Sequence, residues 1–175
     1  MTVSLPPRGT QPPLRGYGDV YGHLASTERR RRHDSGGGAY RVAVTDRDRI
    51  DSGSPWELIV GYSRAVRVGD RVFVAGTAPQ WPDGHVDVDP AAQMRRCLEI
   101  IGTALEQAGS GFADVVRTRV YLTDAADFPV IGQVHGEVFR DIRPVNTTVV
   151  VNGLLDPEWK VEVEVEAVLG AVADV

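Results

Sequence analysis

Hydrophobic and polar residues alternate near the carboxyl end of the chain. Residues 145–168 form two apolar-patterned runs joined by a short loop, and the second run places Val161, Val163 and Val165 on one side. The other side carries Lys160 and three evenly spaced glutamates. A period of two residues predicts β-strands with one buried face and one polar face.

Two longer segments follow the period of an α-helix. In the first, Asp89 is placed to cap the amino terminus, Pro90 suits the first turn, and Gly109 suits the carboxyl-terminal stop. In the second, Asp127 is the predicted cap, and Pro144 follows the helix. Each segment carries one apolar stripe of the width that faces a core. The stripe residues are Met94, Cys97 or Leu98, Ile101 and Leu105 in the first helix, and Ile131, Val134 and Val138 in the second.

The remaining patterned segments predict short strands. YRVAVT at 40–45 is one, and residues 65–75 predict a hairpin that turns at Gly69-Asp70. VVRTRVYLT at 115–123 is rich in β-branched and aromatic residues, which favour strands. The predicted order is β-β-α-β-α-β-β, an α+β fold in which two helices cover one face of a sheet. Since the chain supplies no further helix for the other face, we expect other subunits to cover it.

The first 39 residues predict a disordered amino-terminal extension, followed by one domain over 40–175. They contain PPRGTQPP, four arginines at 29–32 and SGGG, a composition that buries too little surface to offset chain entropy. Residues 1–50 hold nine arginines and five acidic residues, a net charge of +4, whereas 51–175 hold ten basic and nineteen acidic residues, a net charge of −9. The acidic part matches nucleic acid poorly, so we do not expect a nucleic-acid partner unless the arginine run recruits RNA.

Length and composition also limit the size of the domain, the compartment and the contact with membranes. A chain of 175 residues has room for one domain with a sizeable core. The single cysteine, Cys97, excludes an internal disulfide and fits a reducing compartment. No run approaches the roughly 18 apolar residues of a membrane span, and the amino terminus lacks the apolar segment of a secretory signal. We therefore expect a cytoplasmic protein without membrane contact.

The residues themselves indicate few sites for chemistry. The four histidines are scattered, and no phosphate-binding loop or nucleophile elbow is present, so we expect neither a metal nor a cofactor. Glu162, near the rim of the sheet, is a candidate for positioning and deprotonating a water, although acid-lined strands are usually only solvent-exposed faces. Trp56 is a candidate wall of a pocket, or packs at the surface or an interface. His135 either packs within its helix or lines a site.

Five stretches, in order, resemble the RidA/YjgF family of enamine/imine deaminases. They are GYSRAVRVGDRVFVAGTAP, QMRRCLEIIGTALEQAG, DVVRTRVYLTDAADF, FRDIRPVNTTVVV and KVEVEVEAV, running from about Tyr62 to Leu169. The resemblance implies a chorismate-mutase-like fold and a homotrimer whose sheets form a central barrel, with pockets at the subunit interfaces. It also implies hydrolysis of reactive enamines or imines, often 2-aminoacrylate, to a keto acid and ammonia.

The resemblance assigns roles to individual residues and exposes departures. The family's pocket-lining tyrosine matches Tyr62, and its water-activating glutamate matches Glu162. The arginine that holds the substrate carboxylate, in the family's RPAR, falls on Asn146 in RPVNT. At four other pocket positions the family has serine, glutamine, asparagine and cysteine. In this chain they are Ala75, Thr77, Gly132 and Thr148, respectively.

The change at Asn146 alters the expected ligand. A guanidinium–carboxylate contact is bidentate and charge-assisted, whereas a neutral amide offers ordinary hydrogen bonds, each worth about 1 kcal/mol net. The altered pocket favours a bulkier, less acidic ligand, and we expect weak or no turnover of 2-aminoacrylate.

Two functions therefore remain open. The first is a RidA-like enzyme that hydrolyses or tautomerises an enamine or imine of a non-standard small molecule, such as a pathway-specific intermediate. Asn146, Thr148 and Thr77 would then bind its carbonyl or carboxylate, while Tyr62 and Trp56 form the wall. The alternative is a non-catalytic trimer that binds a small ligand or a partner protein. The family has also been described as ribonucleases, and the acidic charge of residues 51–175 opposes that function here.

Overall fold

The computed structural model of the protein describes residues 47–171. The predicted extension at 1–39 and the predicted strand at 40–45 lie outside the described residues. Six strands and three α-helices follow one another in the described part, with two short 3₁₀ turns at Phe112–Asp114 and Ala125–Asp127. They are β1 (Arg47–Ile50), α1 (Pro55–Val60), β2 (Ala65–Val68), β3 (Arg71–Thr77), α2 (Pro90–Gln107), β4 (Val115–Leu122), α3 (Phe128–Phe139), β5 (Val145–Val150) and β6 (Val161–Val168).

The strands form one mixed sheet in the order β1-β2-β3-β6-β4-β5. All neighbouring pairs are antiparallel except β4 and β5, which run parallel. The predicted α+β class is confirmed, and β1 and α1 are additions that the sequence patterns did not reveal. Strand β5 lies at the edge of the sheet, so one side of its backbone has no partner strand within the chain.

The ends of the helices follow from local hydrogen bonding. Asp89 caps α2 as predicted, because its carboxylate accepts from the peptide N–H groups of Ala91 and Ala92. Asp127 occupies the N-cap position of α3 as predicted, but its side chain makes no capping bond. The side-chain capping bond is one 3₁₀ turn earlier, where the carboxylate of Asp124 accepts from the N–H of Ala126 at 2.9 Å.

The core lies between one face of the sheet and the helices. Helix α2 packs against β3, β6 and α3, and the predicted stripes of both helices are buried, except that Val138 is only partly so. Strand β6 alternates as predicted, with Val161, Val163, Val165 and Ala167 buried and its glutamates half-buried on the opposite face. We call these the helix-covered face and the open face. The buried strand residues of the helix-covered face include Val72, Val74, Val120, Leu122, Val161, Val163, Val165 and Ala167.

The open face carries a row of charged pairs at its centre, with the exposed apolar side chains of Phe73, Val145 and Val149 on either side. On β4 it carries Arg117, Arg119 and Tyr121, and these pair in register with Glu166, Glu164 and Glu162 of β6, in that order. Among residues 47–171, no helix combines the length and apolar character needed to cross a membrane.

Candidate functional site

Glu162 stands where two neighbouring strands approach each other closely. It is the second residue of β6 and projects from the open face, half-buried. Its carboxylate lies directly against Gly76 of β3, and a Cβ atom built on Gly76 would collide with Glu162 Oε1. Glycine is therefore required at position 76 if Glu162 is to keep this position.

The backbone of β3 bends where it meets Glu162. The register between β3 and β6 shifts between Val74 and Thr77, so the pairing is irregular in this segment. Such irregularities re-aim the side chains around them. Here the irregularity coincides with the close approach of Glu162 to Gly76.

Arg64 holds this bend from the other side. Its Nη1 atom donates to the carbonyl oxygen of Gly76 at 3.1 Å and to Thr77 Oγ1 at 3.0 Å. Its Nε atom is buried and has no hydrogen-bond partner among residues 47–171. Thr77 is 1% exposed, and its hydroxyl donates to the carbonyl oxygen of Ala75 at 2.8 Å. We call Arg64, Ala75, Gly76, Thr77 and Glu162 the carboxylate group.

The surroundings of Glu162 raise the pKa of its carboxyl above the ordinary value. Burial is the main cause, and the negative charge of Glu164 adds to it, while the positive charge of Arg64 opposes both. A carboxyl with a raised pKa is a stronger base once ionised, and a larger fraction of it is protonated at a given pH, so it can serve both as proton acceptor and as proton donor.

Two further glutamates occupy the same row as Glu162 but differ in their partners. Glu164 pairs with Arg119, and Glu166 pairs with both Arg119, at 3.1 Å, and Arg117, at 3.7 Å. Glu162 faces Tyr121 across the strands instead. Burial raises the pKa of Tyr121, and the charges of Glu164 and Glu162 add to that effect.

Asn146 and Thr148 belong to a second group, on the helix-covered side of the sheet. Asn146 Nδ2 donates to Thr118 Oγ1 at 2.9 Å, and Thr148 Oγ1 donates to Asn146 Oδ1 at 3.0 Å. Thr118 also contacts His135 Nε2 of α3 at 3.0 Å. We call these four residues the amide network.

A cavity of about 460 Å³ adjoins the amide network. Gly132 lies close to it, because a Cβ atom at Gly132 would lie 3.8 Å from the ring of Phe128. The residues that line the cavity are Leu122, Ala125, Phe128, Asn146, Thr148, Val149 and Val150.

Trp56 and Tyr62 occupy the segment that leads into β2. Trp56 is in α1 and 45% exposed, and Tyr62 follows the helix, half-buried. The peptide N–H of Tyr62 donates to the carbonyl oxygen of Glu57, whose own carboxylate accepts from Ser52. These contacts fix the backbone at the end of α1 and therefore the point from which the Tyr62 side chain projects.

The residues predicted to share one pocket thus fall into two groups, and Glu162 and Asn146 project from opposite faces of the sheet. Thr77 is buried opposite Val163, so it joins the first group through Arg64 and Gly76 and not through the open face. Ala75 and Thr77 accompany Glu162, whereas Gly132 and Thr148 accompany Asn146. Sequence reasoning missed Arg64 and Gly76. A glycine inside a strand indicates a close backbone approach, and that signal was available for Gly76.

Two other features bear on chemistry. Cys97 is buried, and burial raises the pKa of its thiol, which disfavours the reactive thiolate. Among residues 47–171 no cluster of three or more His, Cys, Asp or Glu side chains is arranged to hold a metal ion.

Comparison with known proteins gives consistent matches over the described part of the chain. The endoribonuclease L-PSP family model matches residues 54–169. An uncharacterized protein of Streptomyces coelicolor is 43% identical over 125 residues, which cover 71% of this chain and 93% of that protein. The 3-aminoacrylate deaminase RutC of Acinetobacter baylyi is 38% identical over 118 residues, covering 65% of this chain and 90% of RutC. A crystal structure of a YjgF/YER057c/UK114 family member from Mycobacterium tuberculosis matches with a TM-score of 0.66 at 46% identity, covering 71% of this chain and all of that one.

Proposed function

The chain belongs to the RidA/YjgF family, and we propose that it is an enzyme that hydrolyses a reactive imine, or the enamine that tautomerises to it, on a small molecule. One observation carries the proposal: Glu162 is a half-buried carboxyl with a raised pKa, fitted against Gly76. The similarity to a 3-aminoacrylate deaminase supports deamination as the class of reaction.

In the proposed reaction, an enamine first takes a proton on carbon and loses one from nitrogen, which gives the imine. Ionised Glu162 then accepts a proton from a water molecule while the water oxygen forms a bond to the imine carbon. The proton passes from Glu162 to the nitrogen and gives a carbinolamine. The carbinolamine hydroxyl then loses its proton to Glu162, which delivers it to the nitrogen, and the carbon–nitrogen bond breaks as ammonia leaves. The carbon keeps the oxygen as a carbonyl, so each turnover consumes one water and releases one ammonia.

The remaining predicted residues bind the substrate in this proposal. Asn146 and Thr148 hold a polar group of the substrate, and Tyr62 and Trp56 form the wall. Glu162 and Asn146 project from opposite faces of one sheet, so a single chain does not bring both to one substrate. The open face of one chain and the β5 edge of another must meet, which supports the homotrimer with shared pockets that the family resemblance implies.

The assembly is tested by measuring the mass in solution with analytical ultracentrifugation. We expect three times the 19.0 kDa mass of one chain at micromolar concentration. A monomer that retains activity would exclude the shared pocket.

Catalysis is tested with enamines and imines generated in situ, followed by the release of ammonia and of the carbonyl product. We expect slow turnover of 2-aminoacrylate and 3-aminoacrylate, and faster turnover of an uncharged analogue. Glu162→Gln should lower the rate by about 10²- to 10⁴-fold, the usual contribution of a general base. Glu166→Gln is the matched control on the same strand and face, and it should change the rate less than about threefold because an exposed ion pair contributes little. Equal rates for the two variants would remove Glu162 from the mechanism.

The neutral amide network favours a second candidate, a protein that binds a ligand in the family pocket without turning it over. Ligand-dependent thermal stabilisation with no product from any enamine or imine tested would favour that function. Steady release of ammonia would exclude it.

A further inference from the structure

The amide network forms an unbroken chain of hydrogen bonds from a helix to the edge of the sheet. His135 of α3 contacts Thr118 of β4, Thr118 contacts Asn146 of β5, and Asn146 contacts Thr148. Thr118 and Asn146 are register partners in the parallel pair, so their side chains lie side by side on one face. The three donor–acceptor distances are 3.0, 2.9 and 3.0 Å in that order.

In this series of hydrogen bonds, each side chain donates to the next one in the direction of His135. Thr118 is 0% exposed and has one hydroxyl hydrogen. Asn146 Nδ2 donates to Thr118 Oγ1, and His135 Nε2 is the other side-chain atom within hydrogen-bond distance of that hydroxyl among residues 47–171. We therefore assign the hydroxyl hydrogen to this contact, with the ring in the tautomer whose Nε2 accepts. A neutral imidazole can do so, and burial lowers the pKa of His135, which favours the neutral ring. At the other end, Thr148 donates its own hydrogen to Asn146 Oδ1.

This direction determines what the cavity beside β5 offers to a ligand. Thr148 has given its hydrogen to Asn146, so its oxygen is left to accept. Asn146 has given one amide hydrogen to Thr118 and keeps the second. The cavity surface at Asn146 and Thr148 therefore presents one neutral donor and one neutral acceptor next to each other. A carboxylate has only acceptors and would place one oxygen against the lone pairs of Thr148, whereas a carboxamide matches both groups.

We propose that the cavity beside Asn146 and Thr148 binds an uncharged carboxamide-like group of the substrate, not a carboxylate, and that His135 is the positioning residue that sets this preference. The inference deepens the proposed function by naming the class of substrate, and it rests on that function only for the reaction that follows binding.

His135 sets the preference because it is the final acceptor. Without it, the buried hydroxyl of Thr118 has no acceptor and is most easily satisfied if the amide of Asn146 turns over. Thr118 then donates to Asn146 Oδ1, Asn146 Nδ2 donates to Thr148, and the hydroxyl hydrogen of Thr148 is released towards the cavity. The cavity surface at Asn146 and Thr148 then offers only hydrogen-bond donors, which suit a carboxylate.

The test measures binding of pyruvamide and pyruvate to the full-length protein by isothermal titration calorimetry. These two probes differ only in the amide and the carboxylate, and neither is turned over. We expect the native protein to bind pyruvamide roughly tenfold more tightly, which corresponds to one or two ordinary hydrogen bonds. His135→Phe keeps a ring against Phe139, 4.6 Å away between centroids, but removes the acceptor, and should abolish or invert the preference.

Two further variants separate positioning from packing. His135→Gln restores an acceptor oxygen and should recover the preference for pyruvamide. Thr118→Val breaks the chain at its middle with a side chain of the same shape, and should lose the preference even if His135→Phe fails to fold.

The inference is overturned if the native protein binds pyruvate as well as pyruvamide, binds neither, or keeps its preference in both His135→Phe and Thr118→Val. The proposed function fails separately, if no enamine or imine is hydrolysed. Because binding is measured without turnover, a preference for pyruvamide that follows the variants as described supports the inference in that case too.

Discussion

The carboxylate group and the amide network are built in opposite ways. The carboxylate group carries opposite charges on Glu162 and Arg64, and it is held by a close contact with a glycine in the sheet. The amide network is neutral throughout, and it is held by hydrogen bonds that reach up to a helix. Proton transfer needs a group whose pKa has been shifted, whereas recognition of an uncharged group needs fixed dipoles. The carboxylate group therefore suits proton transfer, and the amide network suits recognition of an uncharged group.

The three glutamates of β6 on the open face also differ from one another in their cross-strand partners. Glu164 and Glu166 have arginines as their cross-strand neighbours, and those arginines satisfy them. Glu162 has Tyr121 in that position, and its carboxylate turns to Gly76 of the neighbouring strand instead. A carboxylate that is left out of an arginine ladder and is partly buried is the one whose pKa rises.

Gly76→Ala should separate the two groups most clearly, because it should lower turnover and leave ligand binding nearly unchanged. The added methyl group occupies the position of Glu162 Oε1, so the carboxylate must move away. A displacement of about 1 Å at a catalytic group can lower turnover about 10²-fold. The binding of pyruvamide to the amide network should change far less, because that network lies on the other face of the sheet.

Gly136→Ala is the matched control for Gly76→Ala. No atom lies within 4 Å of the position that its Cβ would take, and the residue is inside α3. Turnover should be unchanged, and the free energy of unfolding should rise by about 0.5–1 kcal/mol, since alanine loses less entropy than glycine in a helix. Thermal melting and the ammonia assay measure both quantities. If Gly76→Ala retains full turnover, close packing against Gly76 does not position the base.

Periodicity was sufficient to predict most of the fold. Strands β4 and β6 and helices α2 and α3 carry strong patterns because each has one face in the core. Strand β5 was also predicted, although none of its residues is buried. Helix α1 is only six residues long, and Leu58, Ile59 and Val60 in it are exposed, so its pattern does not mark a buried face. The N-cap position of α3 was predicted at Asp127, but the pattern did not reveal the 3₁₀ turn before it, whose own cap is Asp124.

The site was less predictable because its geometry depends on the sheet order. The alternation in β6 shows that Glu162 and Val163 face opposite ways, but it does not show that β6 lies between β3 and β4. That order brings Gly76 to Glu162 on one side and places Tyr121 on the other. The amide network requires both the parallel pairing of β4 with β5 and the position of α3, and neither is encoded in a short motif.

A smaller effect, on pH dependence, is expected from Arg64→Gln. The positive charge of Arg64 holds the pKa of Glu162 below the value that burial and Glu164 would otherwise give it. Removing that charge raises the pKa further, so a higher pH is needed to ionise the base. The acid limb of the profile of kcat/KM against pH should therefore move to higher pH. Well above that limb the rate should stay within about threefold, because Glu162 is then fully ionised.

Two control variants test whether the shift of the acid limb is caused by the charge of Arg64. Arg64→Lys keeps the charge and should leave the acid limb near its original position. Arg71→Gln removes a charge from the far end of β3, where Arg71 pairs with Val168, and should not move the limb. A limb that moves to lower pH in Arg64→Gln, or that moves equally in Arg71→Gln, would show that Arg64 does not act on the base through its charge. If only Arg64→Gln moves the limb upwards, the charge beside Glu162 tunes the proposed base, and the test says nothing of the binding role that we propose for the uncharged side chains around Asn146.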